Sequence, residues 1–66
     1  MKYAKLRGKI REVYGLQSEF AQAMRMNPST LSLKLNGYNS WRQDEIIFAC
    51  QLLRIPLAEA HIYFLI

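Results

Sequence analysis

The chain has 66 residues, enough for one small domain with one core and too few for several domains. Nine lysines and arginines against five acidic residues give a formal net charge of +4, which suits an anionic partner without identifying one. The single cysteine, Cys50, excludes an internal disulfide, and no apolar run is long enough to span a bilayer. We therefore expect a soluble cytoplasmic protein.

The apolar residues of the first segment recur at helical spacing. Tyr3, Leu6, Ile10 and Val13 are spaced three, four and three residues apart, which predicts one buried stripe on a first helix. Gly15 follows this stripe and suits the end of a helix, because glycine tolerates the left-handed conformation found there.

A short second helix is predicted from about residue 17 to residue 24. Phe20, Ala21 and Met24 fall on one side of it and form its predicted inner face. Arg25 and Met26 then make a tight connection to the next segment.

Residues 29–36 read STLSLKLN, and their leucines alternate with polar residues as in a half-buried strand. The flanking residues favour a helix instead, since Asn27 before the stretch suits an N-cap and Gly37 after it suits a C-terminal cap. On such a helix Leu31 and Leu35 share the inner face. Leu33 lies roughly 200° around the axis from Leu31, at 100° per residue, so it is predicted to point outward.

Two more helices are predicted after residue 39. Ser40 to Gln43 has the form of a capping box, which predicts a helix start at Ser40. The fourth helix carries a wide apolar stripe that includes Ile46, Cys50 and Leu53, so it should be the most buried helix. Pro56 opens a last helix, which ends in an apolar tail.

Two short helices joined by a tight turn form the helix-turn-helix layout. The stretch QSEFAQAMRMNPSTLSLKLNG resembles the helix-turn-helix of the lambda-repressor-like family, which includes Cro and repressor proteins of phages and their bacterial relatives. The resemblance covers nearly the whole chain and implies a single all-α, five-helix domain over residues 1–66, with the helix-turn-helix at about 17–36. Arg25 and Arg54 stand where the family often has glycine, and Leu16 stands where it usually has serine or threonine.

The resemblance implies sequence-specific binding of double-stranded DNA by a transcriptional regulator, with the recognition helix, residues 28–36, in the major groove. Base contacts are implied for Pro28, Ser29, Thr30, Ser32 and Leu33. Phosphate contacts are implied for Gln17, Asn27, Lys34, Asn36, Tyr38 and Arg42, with Arg7 and Arg11 as further candidates. No long arginine or glutamine lies on the outward side of residues 28–33, so thymine methyl groups and DNA shape are expected to carry specificity.

We expect a homodimer on a two-fold operator, with the apolar tail Ile62, Tyr63, Phe64, Leu65 and Ile66 as its interface. Other interpretations of single residues stay open. Leu33 could belong to a dimer interface, and Tyr63 and Phe64 could be core residues.

An alternative function is a protein-interaction module, such as an antirepressor or an antitoxin-like protein, that keeps the helix-turn-helix fold. An enzyme is not expected, because the sequence offers no nucleophile with a base and no phosphate loop. No metal or other cofactor is expected, since His61 has no second histidine or cysteine at ligand spacing and Cys50 is predicted to be an inert core residue.

Overall fold

The computed structural model describes residues 2–65, and this part of the chain is all-helical, as the sequence predicts. Within these residues there are five α-helices, with a 3-10 turn at Leu57–Glu59 leading into the last one. They are α1 (Ala4–Tyr14), α2 (Gln17–Ala23), α3 (Pro28–Leu35), α4 (Gln43–Leu53) and α5 (Ala60–Phe64). No single helix in the described range is long and apolar enough to cross a membrane.

The core is built from apolar side chains of all five helices, and these side chains have almost no exposed surface. They are Leu6, Ile10, Phe20, Ala21, Met24, Leu31, Leu35, Ile46, Ala49, Cys50, Leu53, Ile55, Ala60 and Phe64. The inner faces predicted for α2, α3 and α4 are all confirmed. Phe64 has 1% of its surface exposed and therefore belongs to the core, which removes it from the predicted dimer interface.

The stripe predicted for α1 is correct at Leu6 and Ile10, whereas Tyr3 precedes the helix at its N-cap and Val13 is 41% exposed. The buried side of α1 runs instead through Leu6, Ile10 and Tyr14, at spacings of four residues. The Tyr14 ring packs on Phe20 of α2 with its centroid 5.3 Å away. Tyr14 thus takes the place that the periodicity assigned to Val13, because the larger ring reaches α2 from the edge of the stripe.

Three helices end with the same hydrogen-bonded motif, in which one residue adopts a left-handed conformation. After α3 this residue is Gly37 (φ 84°), and the Tyr38 N–H donates to the Leu33 carbonyl over 2.9 Å. After α2 and α4 it is Arg25 and Arg54, both at φ 58°. The two arginines that replace the usual glycines therefore keep the glycine-like backbone at a conformational cost.

The start of α4 differs from the prediction. The helix begins at Gln43 rather than near Ser40, and the Arg42 N–H donates to Glu45 Oε1 over 2.9 Å. The predicted capping box from Ser40 to Gln43 is therefore wrong. A carboxylate accepts the orphan N–H more strongly than a glutamine amide oxygen would, and this fixes the helix start two residues later.

The strained end of α4 gives a stability prediction. Arg54→Gly should raise the free energy of unfolding by about 1 kcal/mol, because glycine reaches the left-handed region without the Cβ clash. Arg54 is exposed, so little packing is lost. Urea unfolding followed by circular dichroism measures the change. The control is Gly15→Ala at φ 82°, where an added Cβ meets no atom within 4 Å, and this change should destabilise the fold. A loss of stability in Arg54→Gly would contradict the prediction.

Candidate functional site

Helices α2 and α3 pack against each other across a tight turn, as the helix-turn-helix layout requires. The Met26 N–H donates to the Ala21 carbonyl and the Arg25 N–H to the Gln22 carbonyl, at 2.9 and 3.0 Å. Ala21 and Leu31 have no exposed surface, so the two helices approach closely at the crossing. The turn therefore fixes α3 on the body of the domain.

The beginning of α3 is capped as predicted. Asn27 Oδ1 accepts the Ser29 N–H over 2.8 Å, and Pro28 takes the first helical position, where a missing N–H costs nothing. The Asn27 side-chain oxygen is therefore engaged within the protein. Its predicted role as a phosphate contact would have to use the amide nitrogen.

One side of α3 is turned away from the core. We call it the α3 face, and it consists of Pro28, Ser29, Thr30, Ser32 and Leu33. Leu33 is 43% exposed, while Leu31 and Leu35 have no exposed surface. The strand-like alternation therefore comes from one outward leucine between two inward ones, as predicted. Thr30 and Ser32 are half-buried, and Pro28 and Ser29 are exposed.

The only cation of α3 points inward. Lys34 is 7% exposed, and its Nζ lies 3.0 Å from the Ser40 carbonyl oxygen and 3.0 Å from Glu45 Oε1. The ammonium group also lies 5.9 Å from the centre of the Trp41 ring. The predicted phosphate contact of Lys34 does not agree with this arrangement, because its charge is held between α3, the following loop and α4. The α3 face is consequently uncharged.

A second polar contact joins the end of α3 to α1. Arg7 Nη2 donates to the Leu35 carbonyl over 3.2 Å and to Asn36 Oδ1 over 2.8 Å. Asn36 Nδ2 in turn lies 3.3 Å from Ser32 Oγ. Both polar ends of the Asn36 side chain are therefore occupied, and Asn36 acts first as a tether between the helices. From the sequence alone Arg7 is only a candidate phosphate contact, since local periodicity cannot reveal a partner 29 residues away.

The remaining predicted contacts lie at the two ends of the helix-turn-helix. Gln17 is half-buried at the first position of α2. Tyr38 follows α3 and is 79% exposed. Arg42 is exposed before α4, and its Nε lies 3.4 Å from Asp44 Oδ1, so part of its charge is compensated. The predicted contacts that a partner can reach therefore include Gln17, Tyr38 and the α3 face. Lys34 is buried and is not among them.

The reactive side chains do not form a metal site in the described part of the chain. No three histidine, cysteine, aspartate or glutamate side chains of residues 2–65 are placed to share one ion. Cys50 is buried in the core, and this burial raises the pKa of its thiol above the usual value. The thiol is therefore held in its neutral, unreactive form.

The solved structure of a phage regulator is similar to the structure of this chain. The chain is similar to the modulator of repression (MOR) of the temperate bacteriophage TP901-1 from Lactococcus lactis, whose solution structure is known. The two share 41% sequence identity with a TM-score of 0.85, over 96% of this chain and 85% of that one. No curated protein matches the chain.

The similarity extends to sequence as well as fold, so the chain resembles a small phage regulator. Its assignment to the lambda-repressor-like family stays a prediction from the helix-turn-helix residues. A family model described as "Protein of unknown function (DUF739)" matches residues 1–66. Because this match spans the whole chain, the protein belongs to the DUF739 family.

Proposed function

We propose that the chain is a phage-type regulator that controls repression by binding a protein of the repression system, without catalysing a reaction. The α3 face and Tyr38 form its contact surface. The proposed partner is a DNA-binding repressor, and the proposed place of action is the bacterial cytoplasm. The observation that carries this proposal is the combination of an uncharged α3 face with exposed apolar and aromatic side chains.

The charges around α3 favour a protein over DNA. Affinity for DNA comes largely from lysines and arginines that neutralise phosphates. Lys34 is buried against Glu45, Arg7 is bound to the end of α3, and Arg42 lies beside Asp44. Lys34 and Arg7 are therefore engaged within the domain, and the α3 face itself carries no charge for a phosphate backbone. Exposed basic residues remain at its two ends, Arg25 in the turn before α3 and Lys2 beside Gly37.

The exposed apolar groups favour the same partner. The Tyr38 N–H donates to the Leu33 carbonyl, so the backbones of these two residues lie next to each other. Leu33 is 43% exposed and Tyr38 is 79% exposed. Tyrosines are enriched among the residues that dominate binding at protein interfaces, and a neighbouring leucine adds apolar area that gains free energy when it is buried.

The similar phage protein supports a role in the control of repression. Its name, modulator of repression, describes an effect on repression rather than repression itself. The two chains are 41% identical over 96% of this chain, and on this basis we propose that they share the role. It also agrees with the antirepressor alternative that the sequence leaves open.

Direct binding to operator DNA is the second candidate function, because α2 and α3 have the helix-turn-helix layout. In this case the α3 face would contact base edges in the major groove. Phosphate contacts would come from Gln17, Asn27, Asn36, Tyr38 and Arg42. Thymine methyl groups would be the matching feature for Leu33, since they are the apolar groups of the major groove.

The test uses the repressor and the operator duplex from the genome that encodes this chain. The protein is added to a labelled operator alone and to the repressor–operator complex, and fluorescence anisotropy is recorded at low and moderate salt. We expect the chain to release the repressor from the operator or to change the anisotropy of the repressor–operator complex. We expect no binding of the chain to the free duplex. Binding to the free duplex that weakens by orders of magnitude between ~50 and ~200 mM salt would instead support the DNA-binding candidate.

The two candidates also differ in oligomeric state. Direct operator binding predicts a homodimer, because one small module offers few base contacts and half-sites lie about 34–36 Å apart. Of the predicted interface, Ile62 and Leu65 are 38% and 59% exposed, Tyr63 is half-buried, and Ile66 lies outside the described residues. Under this candidate, sedimentation should show a dimer that Ile62→Lys dissociates. A monomer both free and on DNA would count against it.

A further inference from the structure

We propose that the cleft between the end of α1 and the start of α2 binds a carboxylate side chain of the partner protein. This inference rests on the proposed function, because a protein partner is what would supply the carboxylate. It adds to the α3 face a second contact, which recognises charge. The cleft has a volume of about 380 Å³, and Arg7, Arg11, Leu16 and Gln17 are among the residues that line it.

Two arginines of the cleft carry charges that no acidic residue compensates. Arg7 and Arg11 lie four residues apart, on the same side of α1. In residues 2–65 no carboxylate lies within 4.0 Å of either guanidinium group, although such pairs form at Lys9, Lys34 and Arg42. Like charges at this spacing disfavour each other, so an anion between them removes an existing repulsion.

The position of Arg7 is fixed by neutral groups. Its Nη2 donates to the Leu35 carbonyl and to Asn36 Oδ1, and its Nε is buried with no acceptor. Arg7 therefore keeps a full positive charge in the cleft wall and cannot follow a distant ligand. This fixed charge attracts an anion into the cleft without itself needing to form the shortest contact.

Direct hydrogen bonds are assigned to Arg11 and Gln17. The Arg11 side chain is exposed, and its guanidinium group makes no hydrogen bond or ion pair among the described residues. Gln17 is half-buried and lines the same cleft. A planar guanidinium group can donate two parallel N–H groups to the two oxygens of a carboxylate. The side-chain amide of Gln17 supplies a further donor.

An apolar wall favours a protein carboxylate over a phosphate. Leu16 lines the cleft and is 64% exposed. It has no donor for a phosphate oxygen, and beside a sugar-phosphate backbone its surface would stay next to charged groups. A peptide with an acidic residue next to an apolar one fits this cleft better. Its carboxylate can bind Arg11 and Gln17, and its apolar side chain can cover Leu16.

Nuclear magnetic resonance tests this assignment with small probes. The ¹⁵N-labelled protein is titrated with acetyl-leucyl-glutamyl amide, with the matched glutaminyl peptide, and with inorganic phosphate, all at one ionic strength. We expect the glutamyl peptide to shift the side-chain N–H signals of Arg11 and Gln17 in a saturable way. The uncharged glutaminyl peptide should leave these signals in place.

Variants identify the residues that carry the effect. Arg11→Gln should weaken binding of the glutamyl peptide about fivefold, the upper end expected for one exposed ion pair. Arg25→Gln removes an exposed arginine outside the cleft and should have no effect. The inference is overturned if the glutamyl peptide causes no shift, if phosphate binds more tightly, or if both variants behave alike.

The repressor titration separates this inference from the proposed function. If repressor binding responds to a change at Leu33 but not to Arg11→Gln, the proposed function stands and the carboxylate assignment is wrong. If the glutamyl peptide binds while the repressor does not, the cleft is an anion site and the proposed function is wrong.

Discussion

Glu45→Gln is expected to lower the free energy of unfolding by about 2 kcal/mol. The change leaves the buried Lys34 ammonium without its carboxylate 3.0 Å away, while an amide oxygen can still accept the Arg42 N–H. Removal of one partner of a fully buried ion pair costs about 3–5 kcal/mol, and the 21% exposure of the Glu45 side chain reduces this. Since a domain of this size is stable by roughly 3–10 kcal/mol, the effect should be plain in urea unfolding.

The companion variant Lys34→Met should cost less than Glu45→Gln. Methionine keeps the apolar stem of the lysine and leaves behind a carboxylate that water can partly reach. The double variant should be more stable than the sum of the two single effects predicts, because it contains no unpaired buried charge. Equal losses in the two single variants, with simple additivity in the double variant, would show that the ion pair contributes only through packing.

Local signals in the sequence account for most of the fold. The Asn27 cap, the glycine after α3 and the spacing of Leu31 and Leu35 each depend on residues within one or two helical turns, and each is correct. The same reasoning identifies α3 as a helix despite its strand-like alternation. Where a structural feature depends on neighbouring residues only, elementary rules of capping and periodicity are sufficient.

Two wrong predictions, the exposure of Lys34 and the start of α4, both involve Glu45. Lysine is normally exposed on a helix, and this residue type led to the phosphate assignment of Lys34. At 100° per residue, however, Lys34 lies only about 60° from Leu31, on the inner side of α3. Its partner Glu45 belongs to the next helix, and the same carboxylate places the N-cap of α4 at Arg42 rather than at Ser40. One carboxylate therefore takes part in both wrong predictions, through a local cap at Arg42 and an ion pair with Lys34.

The sequence predicts where the candidate site lies on the fold, but it does not predict which partner binds there. A period of 100° per residue places Leu33 and its neighbours on the outer side of α3 whatever they bind. Whether DNA or a protein is the better partner depends on charge, because a helix face with free lysines would suit phosphates. The sequence alone counts Lys34 among these charges, and the fold removes it. The burial of this single side chain is one reason why we propose a protein surface rather than a DNA groove as the partner.

Leu33→Ala is expected to weaken binding to the repressor about tenfold. The side chain is 43% exposed, so much of its apolar surface is still available for burial in a complex. Burial of a few methyl-sized groups is worth roughly 1–2 kcal/mol, which corresponds to about tenfold in affinity. Stability should change little, because the core leucines on either side remain in place. Isothermal titration of repressor with each variant measures the effect.

The matched control is Leu57→Ala, which removes an equal side chain that is 60% exposed and lies outside α3. It should leave repressor binding unchanged. A parallel titration with specific and scrambled operator duplexes at one salt concentration distinguishes the two candidate functions. If Leu33→Ala lowers affinity for the specific duplex tenfold and leaves scrambled DNA and repressor binding unaffected, the leucine reads a thymine methyl group and the protein-binding proposal is wrong. If neither titration responds, the α3 face is not the contact surface, because its most exposed apolar group would then contribute to no complex.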